Sequence, residues 1–217
     1  EDFVENLDAP LRERLRNFRK NNKVFPVVIK GISGITDPKS FSLSLEKAVK
    51  DALKRENIEI TTESEFEKYI NHIKNAPHMN YETVIENNPE LKVRVHNRDN
   101  LIAALERRDV EILKLLENVL EFNLPHKAID DWLVEVSKEL SSKGISAMAI
   151  YWDEFTSLLE LSSVSPILSI LQNIAEKTMN NNIYLFIVSH RHPQQANTQS
   201  MDYNKLKDRF ITEEYSM

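Results

Sequence analysis

The sequence predicts an α/β fold with a mostly parallel sheet and a large helical insertion, and three observations carry that expectation. Two apolar runs of strand length, Ile145-Ser-Ala-Met-Ala-Ile-Tyr-Trp152 and Asn182-Ile-Tyr-Leu-Phe-Ile-Val188, each end abruptly in polar side chains. A third run, Val24-Phe-Pro-Val-Val-Ile-Lys-Gly-Ile32, is rich in β-branched residues. Between these runs stand stretches whose apolar residues recur every three or four positions, the period of a helix with one packed face. A strand covered on both faces loses the alternation of apolar and polar residues, and strands separated by helices pair in parallel through right-handed crossovers.

The elements follow in order. Ala9 to Lys20 carries Leu11, Leu15 and Phe18 at helical spacing among four arginines, a pattern read as a solvated helical face. Val24 to Ile32 is a strand, with Pro26 near its start, where a missing N–H is tolerated. The loop Gly31-Ile-Ser-Gly-Ile-Thr-Asp-Pro-Lys-Ser40 leads into a helix over Phe41 to Lys54 and invites comparison with a phosphate loop. That loop requires G-x-x-x-x-G-K-[ST], so that backbone N–H groups wrap the phosphates. Here Ser33 and Pro38 stand at the two glycine positions, and proline removes a donor. The stretch is therefore read as a strand-to-helix connection in which Lys39 and Ser40 start the helix.

From Glu63 to Gly144 the chain is almost wholly helical in pattern, with packing stripes at Phe66, Tyr69, Ile70 and Ile73, at Leu101, Ile102 and Leu105, and from Ile112 to Leu120. A further helix, Pro125 to Ser142, turns Trp132, Leu133, Val136 and Leu140 toward a core and stops at Gly144. Within this region Leu91-Lys-Val-Arg-Val-His96 alternates apolar and polar residues and suggests an edge strand. After the second apolar strand, Phe155 to Leu161 begins a helix and Pro166 to Met179 forms another. A polar loop from Pro193 to Asp202, a short helix to Phe210 and a final strand over Ile211 to Met217 complete the expected order. The expected organisation is residues 1–62 as the first part of the α/β core, 63–143 as the helical insertion, and 144–217 as the second part of the core.

Composition narrows the classes. A net charge of −6 gives no electrostatic footprint for nucleic acid, so DNA is a partner that only a local patch would support. No cysteine is present, which excludes disulfides and thiolate metal sites. No apolar run nears the roughly 20 residues of a membrane helix, so no membrane partner is expected and a cytoplasmic location is the default. The sequence starts at Glu1 rather than Met, and the expectation is of a piece of a longer protein. His72, His78, His96 and His126 lack the spacing of a zinc helix, whereas His190-Arg-His192 sits at an expected strand tip and would need a carboxylate from elsewhere to bind zinc.

The segment Ala147-Met-Ala-Ile-Tyr-Trp-Asp153-Glu154 resembles the Walker B motif of P-loop ATPases of the AAA+-like branch, in which apolar residues precede Asp-Glu. Ile187-Val-Ser189-His190 is similar to the sensor 1 strand of that family, and Lys207-Asp-Arg209-Phe210 stands where its members often carry an arginine finger. The wider wording, with Trp-Asp-Glu-Phe155, Val-Ser-His-Arg191 and Asp-Arg-Phe210, resembles large bacterial ATPases of anti-phage defence, of the BREX and phosphorothioation-dependent restriction types. The likeness covers about Gly144 to Met217 and departs from the family in lacking a Walker A sequence.

The resemblance implies a three-layer, P-loop NTPase-like core in which Val24 to Ile32 is the second core strand. It implies ATP and Mg2+ as cofactors, with Asp153 holding the metal and Glu154 polarising the attacking water. Ser189 and His190 would position that water or sense the γ-phosphate, and Arg209 would reach a neighbouring subunit's site in a homo-oligomer. Protein partners of a defence complex follow from the same likeness. Two other classes stay open on the residues themselves: a nucleotide-free scaffold in which Asp153 and Glu154 only cap a helix, and a metal-dependent nuclease using Asp153, Glu154 and His190.

Overall fold

The computed structural model describes residues 8–31, 34–76, 78–120, 124–125, 127–153, 155, 158, 164–178, 180–188 and 210–211. Its elements are α1 (Ala9–Asn21), β1 (Val24–Lys30), α2 (Pro38–Arg55), α3 (Glu65–Asn75), α4 (Tyr81–Glu86), α5 (Pro89–Val95), α6 (Arg98–Glu106), α7 (Val110–Val119), α8 (Ile129–Ser142), β2 (Ala147–Asp153), α9 (Val164–Thr178) and β3 (Ile183–Ile187). The three strands form one parallel sheet in the order β1-β2-β3, with Lys30 level with Asp153 and Ile187 level with Trp152. The expected mixed α/β fold with a parallel sheet is observed. The expected final strand and the short helix before it lie outside the described residues, except for Phe210 and Ile211, and so does most of the helix expected to start at Phe155.

Consecutive parallel strands that advance in one direction through right-handed crossovers place all their helices on one face. Here α2 packs on β1, α8 on β2 and α9 on β3. Phe25, Val27 and Ile29 of β1, Met148, Ile150 and Trp152 of β2, and Ile183 of β3 join one core with Phe41, Leu45 and Val49 of α2, Trp132 and Val136 of α8, and Ile167 and Leu171 of α9. Trp152 has no exposed surface; its ring stacks on Phe41 at 5.4 Å, and its Nε1 donates to the Gly31 carbonyl at 3.1 Å. The opposite face of the sheet carries Val28, Tyr151, Tyr184 and Phe186, all exposed, with the rings of Tyr151 and Phe186 stacked at 4.9 Å.

A second core lies on the other side of α2. Leu43 turns toward it while its neighbours Phe41 and Leu45 turn toward the sheet, and it gathers Phe66, Tyr69 and Ile73 of α3 with apolar residues of α4 to α7. The stretch 91–96 departs from the expected edge strand: it is the helix α5, with Pro89 in its first turn. Alternation would bury Leu91, Val93 and Val95 together. Instead Leu91 and Val95, four residues apart, are buried in this second core, while Val93 is 73% exposed. The three-residue alternation was a fragment of a helical stripe.

The joint between the two cores holds buried polar groups. Lys50 of α2 donates to Glu67 at 2.7 Å and to the Thr62 carbonyl at 2.9 Å, and Glu46 accepts from the Phe66 N–H at 3.4 Å. Burial pushes the Glu46 carboxyl up, the Phe66 N–H opposes this, and neighbouring Glu65 adds to it, leaving the group at about 7. The folded state thus binds a proton that the unfolded chain, with an ordinary value of 4.5, has released. Stability from this group is full below the unfolded value and falls as pH rises from about 4.5 to about 7. Glu67 and Glu139 are shifted downward, so their losses come with falling pH and fall outside that window. Urea unfolding across this range tests the assignment. The difference in stability between Glu46→Gln and wild type should shift in favour of the variant as pH rises, by up to a few kcal/mol; parallel curves would contradict the buried proton.

Candidate functional site

The carboxyl ends of β1, β2 and β3 lie side by side, and β2 is the central strand. In open α/β sheets this is the end at which ligands bind. Asp153 is the last residue of β2 and its side chain is exposed. Its backbone is fixed from both sides: the Gly31 N–H donates to the Asp153 carbonyl at 3.2 Å, and the Val188 N–H donates to the adjacent Trp152 carbonyl at 2.8 Å. The chain then turns inward, with the Phe155 N–H donating to the Val188 carbonyl at 3.2 Å and Phe155 and Leu158 buried in the sheet's core. The carboxylate of Asp153 is therefore presented at a strand tip by a backbone hydrogen-bonded on both sides, as the apolar run before it predicts. Glu154, Ser189, His190 and Arg209 lie outside the described residues.

The connection between β1 and α2 is occupied by its own side chains. Gly31 and Gly34 take φ of +61° and +78°, values that favour glycine. Asp37 is the N-cap of α2 and Pro38 opens its first turn. The Ser40 N–H donates to the Asp37 carboxylate at 2.8 Å, and the Asp37 N–H donates to Ser40 Oγ at 3.0 Å, closing a reciprocal cap. Burial opposes the charge on Asp37, but Lys114, the Ser40 N–H and the Thr36 hydroxyl outweigh it and hold the carboxyl at about 2. Lys39 points away from the helix end, pairing with Glu117 at 2.9 Å and with Glu65 at 3.5 Å.

A phosphate at this helix end would have to displace a carboxylate already bound there, and Lys39 is committed to the helical cluster. The strand-to-helix connection expected from Ser33 and Pro38 accounts for the geometry. Residues 34–40 thus do not fit a phosphate cradle. A carboxylate such as that of Asp153 has the oxygen chemistry Mg2+ takes, and that ion keeps several waters and needs only one or two carboxylates from protein. Among the described residues, no three His, Asp or Glu side chains converge as a metal site.

Sequence reasoning missed the cap made by Asp37, although Asp-Pro-Lys-Ser40 carries its signal: an N-cap acid, proline at the first helical position and serine at the third. It also missed the half-buried hydrogen bond of 2.6 Å between His72 Nδ1 and the Tyr81 hydroxyl, for which nothing in the sequence gives notice. Among the described residues no helix is long and apolar enough to cross a membrane. Compared with protein-family models, with curated proteins and with solved structures, the chain matches none.

The cap makes a measurable distinction. Asp37→Ala should lower stability by about 1–2 kcal/mol in urea unfolding. The stabilisation it removes should be present above pH 4 and fade as pH falls from about 3.8 toward 2 in wild type, since the folded value lies below the unfolded one. Lys39→Ala should likewise reduce stability while leaving nucleotide affinity, measured by calorimetry, unchanged. A loss of nucleotide binding in Lys39→Ala with full stability would restore the phosphate-loop reading.

Proposed function

We propose that the chain forms the metal-binding and water-activating half of an ATP-hydrolysing P-loop ATPase of the AAA+-like branch. The observation that supports it is the place of Asp153: the tip of the central strand of a parallel sheet, with a neighbouring strand on each side. The apolar run, the carboxylate at its end and the following parallel strand come in the order that the resemblance implies. Phosphates would be cradled by residues other than 34–40, whose helix end is filled by Asp37.

In this reading Asp153 would hold Mg2+ through its water shell, and the metal, once bound, would offset the charge of the phosphates. Glu154 accepts the proton of the attacking water, Ser189 and His190 orient that water, and Arg209 stabilises charge on the transferred phosphoryl group from a neighbouring subunit. The work driven by hydrolysis is a nucleic-acid-related defence or remodelling task, carried out with protein partners, as the resemblance to anti-phage ATPases suggests.

One observation favours a second reading. The capped α2 and the committed Lys39 are what a nucleotide-free scaffold on an ATPase-like sheet would show, with the helical cluster as its binding surface.

Hydrolysis by the natural full-length protein separates the two. Glu154→Gln should bind ATP and lose turnover by about 10²-fold or more, the scale of a general base. Asp153→Ala should lose the dependence of ATP binding on Mg2+. Absence of both binding and hydrolysis in wild type, or variants that match it, would leave the scaffold. DNA cleavage that needs metal but no ATP would identify a nuclease.

A further inference from the structure

Among the described residues β1 is an edge strand, and a groove of about 580 Å³ runs between its outer edge and the outward face of α2. Its floor along the helix is Ser44, Lys47, Ala48, Asp51, Ala52 and Arg55, a spacing that places all six on one helical stripe. Three of these are small, which leaves room for another chain beside the strand edge. Ile35 and Val110 add apolar surface at the end nearest the carboxyl tips.

The direction of the free backbone groups can be read from two hydrogen bonds. The Gly31 N–H points to β2, where it donates to Asp153, and the Pro26 carbonyl points the other way, where it accepts from Arg55 at 3.0 Å. Alternation then turns the N–H and C=O of Val28 and Lys30 into the groove. Among the described residues no strand pairs with them. The other end of the edge is closed, because Pro26 has no N–H and its carbonyl is taken by Arg55. Such devices blunt edges against pairing, and here they leave open only the segment next to the pocket.

Charge selects the occupant. Asp51 pairs with Arg108 at 3.1 Å, and Asp109 accepts from the Ile112 N–H at 3.1 Å as the cap of α7. Lys30, Lys47 and Arg107 have no ion pair among the described residues, and along the groove they stand against Asp109 and Glu111, which have none there either. On a chain of net charge −6, the groove thus keeps a small local excess of positive charge.

We propose that this groove captures an acidic, extended peptide segment of a partner protein as an added strand on β1. The peptide backbone bonds to Val28 and Lys30. Side chains on its inner face, of Val, Ile or Thr size, lie over Ala48 and Ala52, and its carboxylates meet Lys47 and Arg107. Main-chain bonds at an open edge supply affinity and alternate side chains supply selectivity, as in other cases of strand addition. The inference is independent of nucleotide chemistry at Asp153.

The test uses a library of nine-residue synthetic peptides whose every second residue, on the inner face, is Val, Ile or Thr at the centre and Glu toward the ends, with Ser between, and a matched library with Lys in place of Glu. Binding is read by fluorescence anisotropy, and hydrogen exchange is read at single amides. Acidic peptides should bind, more weakly as salt rises, and should slow exchange of the Val28 and Lys30 amides by about tenfold or more. Lys47→Glu should weaken binding about tenfold or more, and Val28→Pro, which removes an outward N–H and none of the β1–β2 hydrogen bonds, should abolish it; circular dichroism confirms that each variant is folded. Should Val28→Pro fail to fold, Lys47→Glu and the wild-type exchange data still decide. Failure of every acidic peptide to bind, equal binding of the Lys library, or binding without protection of Val28 and Lys30 would each overturn the proposal.

Discussion

The structure depends on a helix that is buried on both sides. Most helices of a globular protein bury one stripe and wet the other. α2 instead turns Phe41, Leu45, Val49 and Leu53 to the sheet and Leu43 to the helical cluster, with Ser40, Glu46 and Lys50 also buried. A helix in that position cannot leave its end groups unpaired, and the reciprocal cap of Asp37 and Ser40 satisfies donors at its start. Nor can its buried charges stand alone: Lys50 is held by Glu67 and the Thr62 carbonyl, and burial beside Glu65 pushes the Glu46 carboxyl up to about 7. The same helix therefore fixes how α3 to α7 sit against the sheet and why the β1–α2 connection has no free helix end to offer an anion.

Crossover handedness sets the rest of the geometry. With α2, α8 and α9 all on one face, the strands advance without reversal and β2 is held between two neighbours. That is why the backbone at Asp153 is anchored from both sides while its side chain stays exposed. It is also why the opposite face keeps Val28, Tyr151, Tyr184 and Phe186 in solvent, an arrangement unusual for a parallel sheet, whose faces are ordinarily both covered. The open edge of β1 follows from the same arrangement, since among the described residues the sheet ends there, with Pro26 and Arg55 at its other end. The candidate nucleotide site and the candidate peptide groove are thus two consequences of one strand order, at neighbouring places on the sheet's carboxyl end.

Much of the fold was legible in the sequence, because the signals were local. The apolar runs ending at Asp153 and Val188 and the β-branched run at Val24 fixed the three strands, and period alone marked most helices. The position of Asp153 at a strand tip followed from where its run of apolar residues stops. The segment 91–96 was misread because three alternating residues fit both a strand and a helix turn, and the arbiter was whether Val93 would be buried. Burial depends on the partner surface, which in this case comes from residues far along the chain.

The sequence by itself determined the three strands, most of the helices between them and the strand tip that presents Asp153, since each rests on residues within one turn or one strand of each other. Tertiary structure alone decided which groups meet: that Lys39 reaches Glu65 and Glu117, that Lys114 reaches Asp37, that Glu46 is buried beside Glu65, and that small residues on α2 face an open strand edge. These pairings join positions separated by tens of residues, and their energies come from burial and charge in a common environment. No local pattern encodes that environment, because it exists only once the two cores have closed on α2.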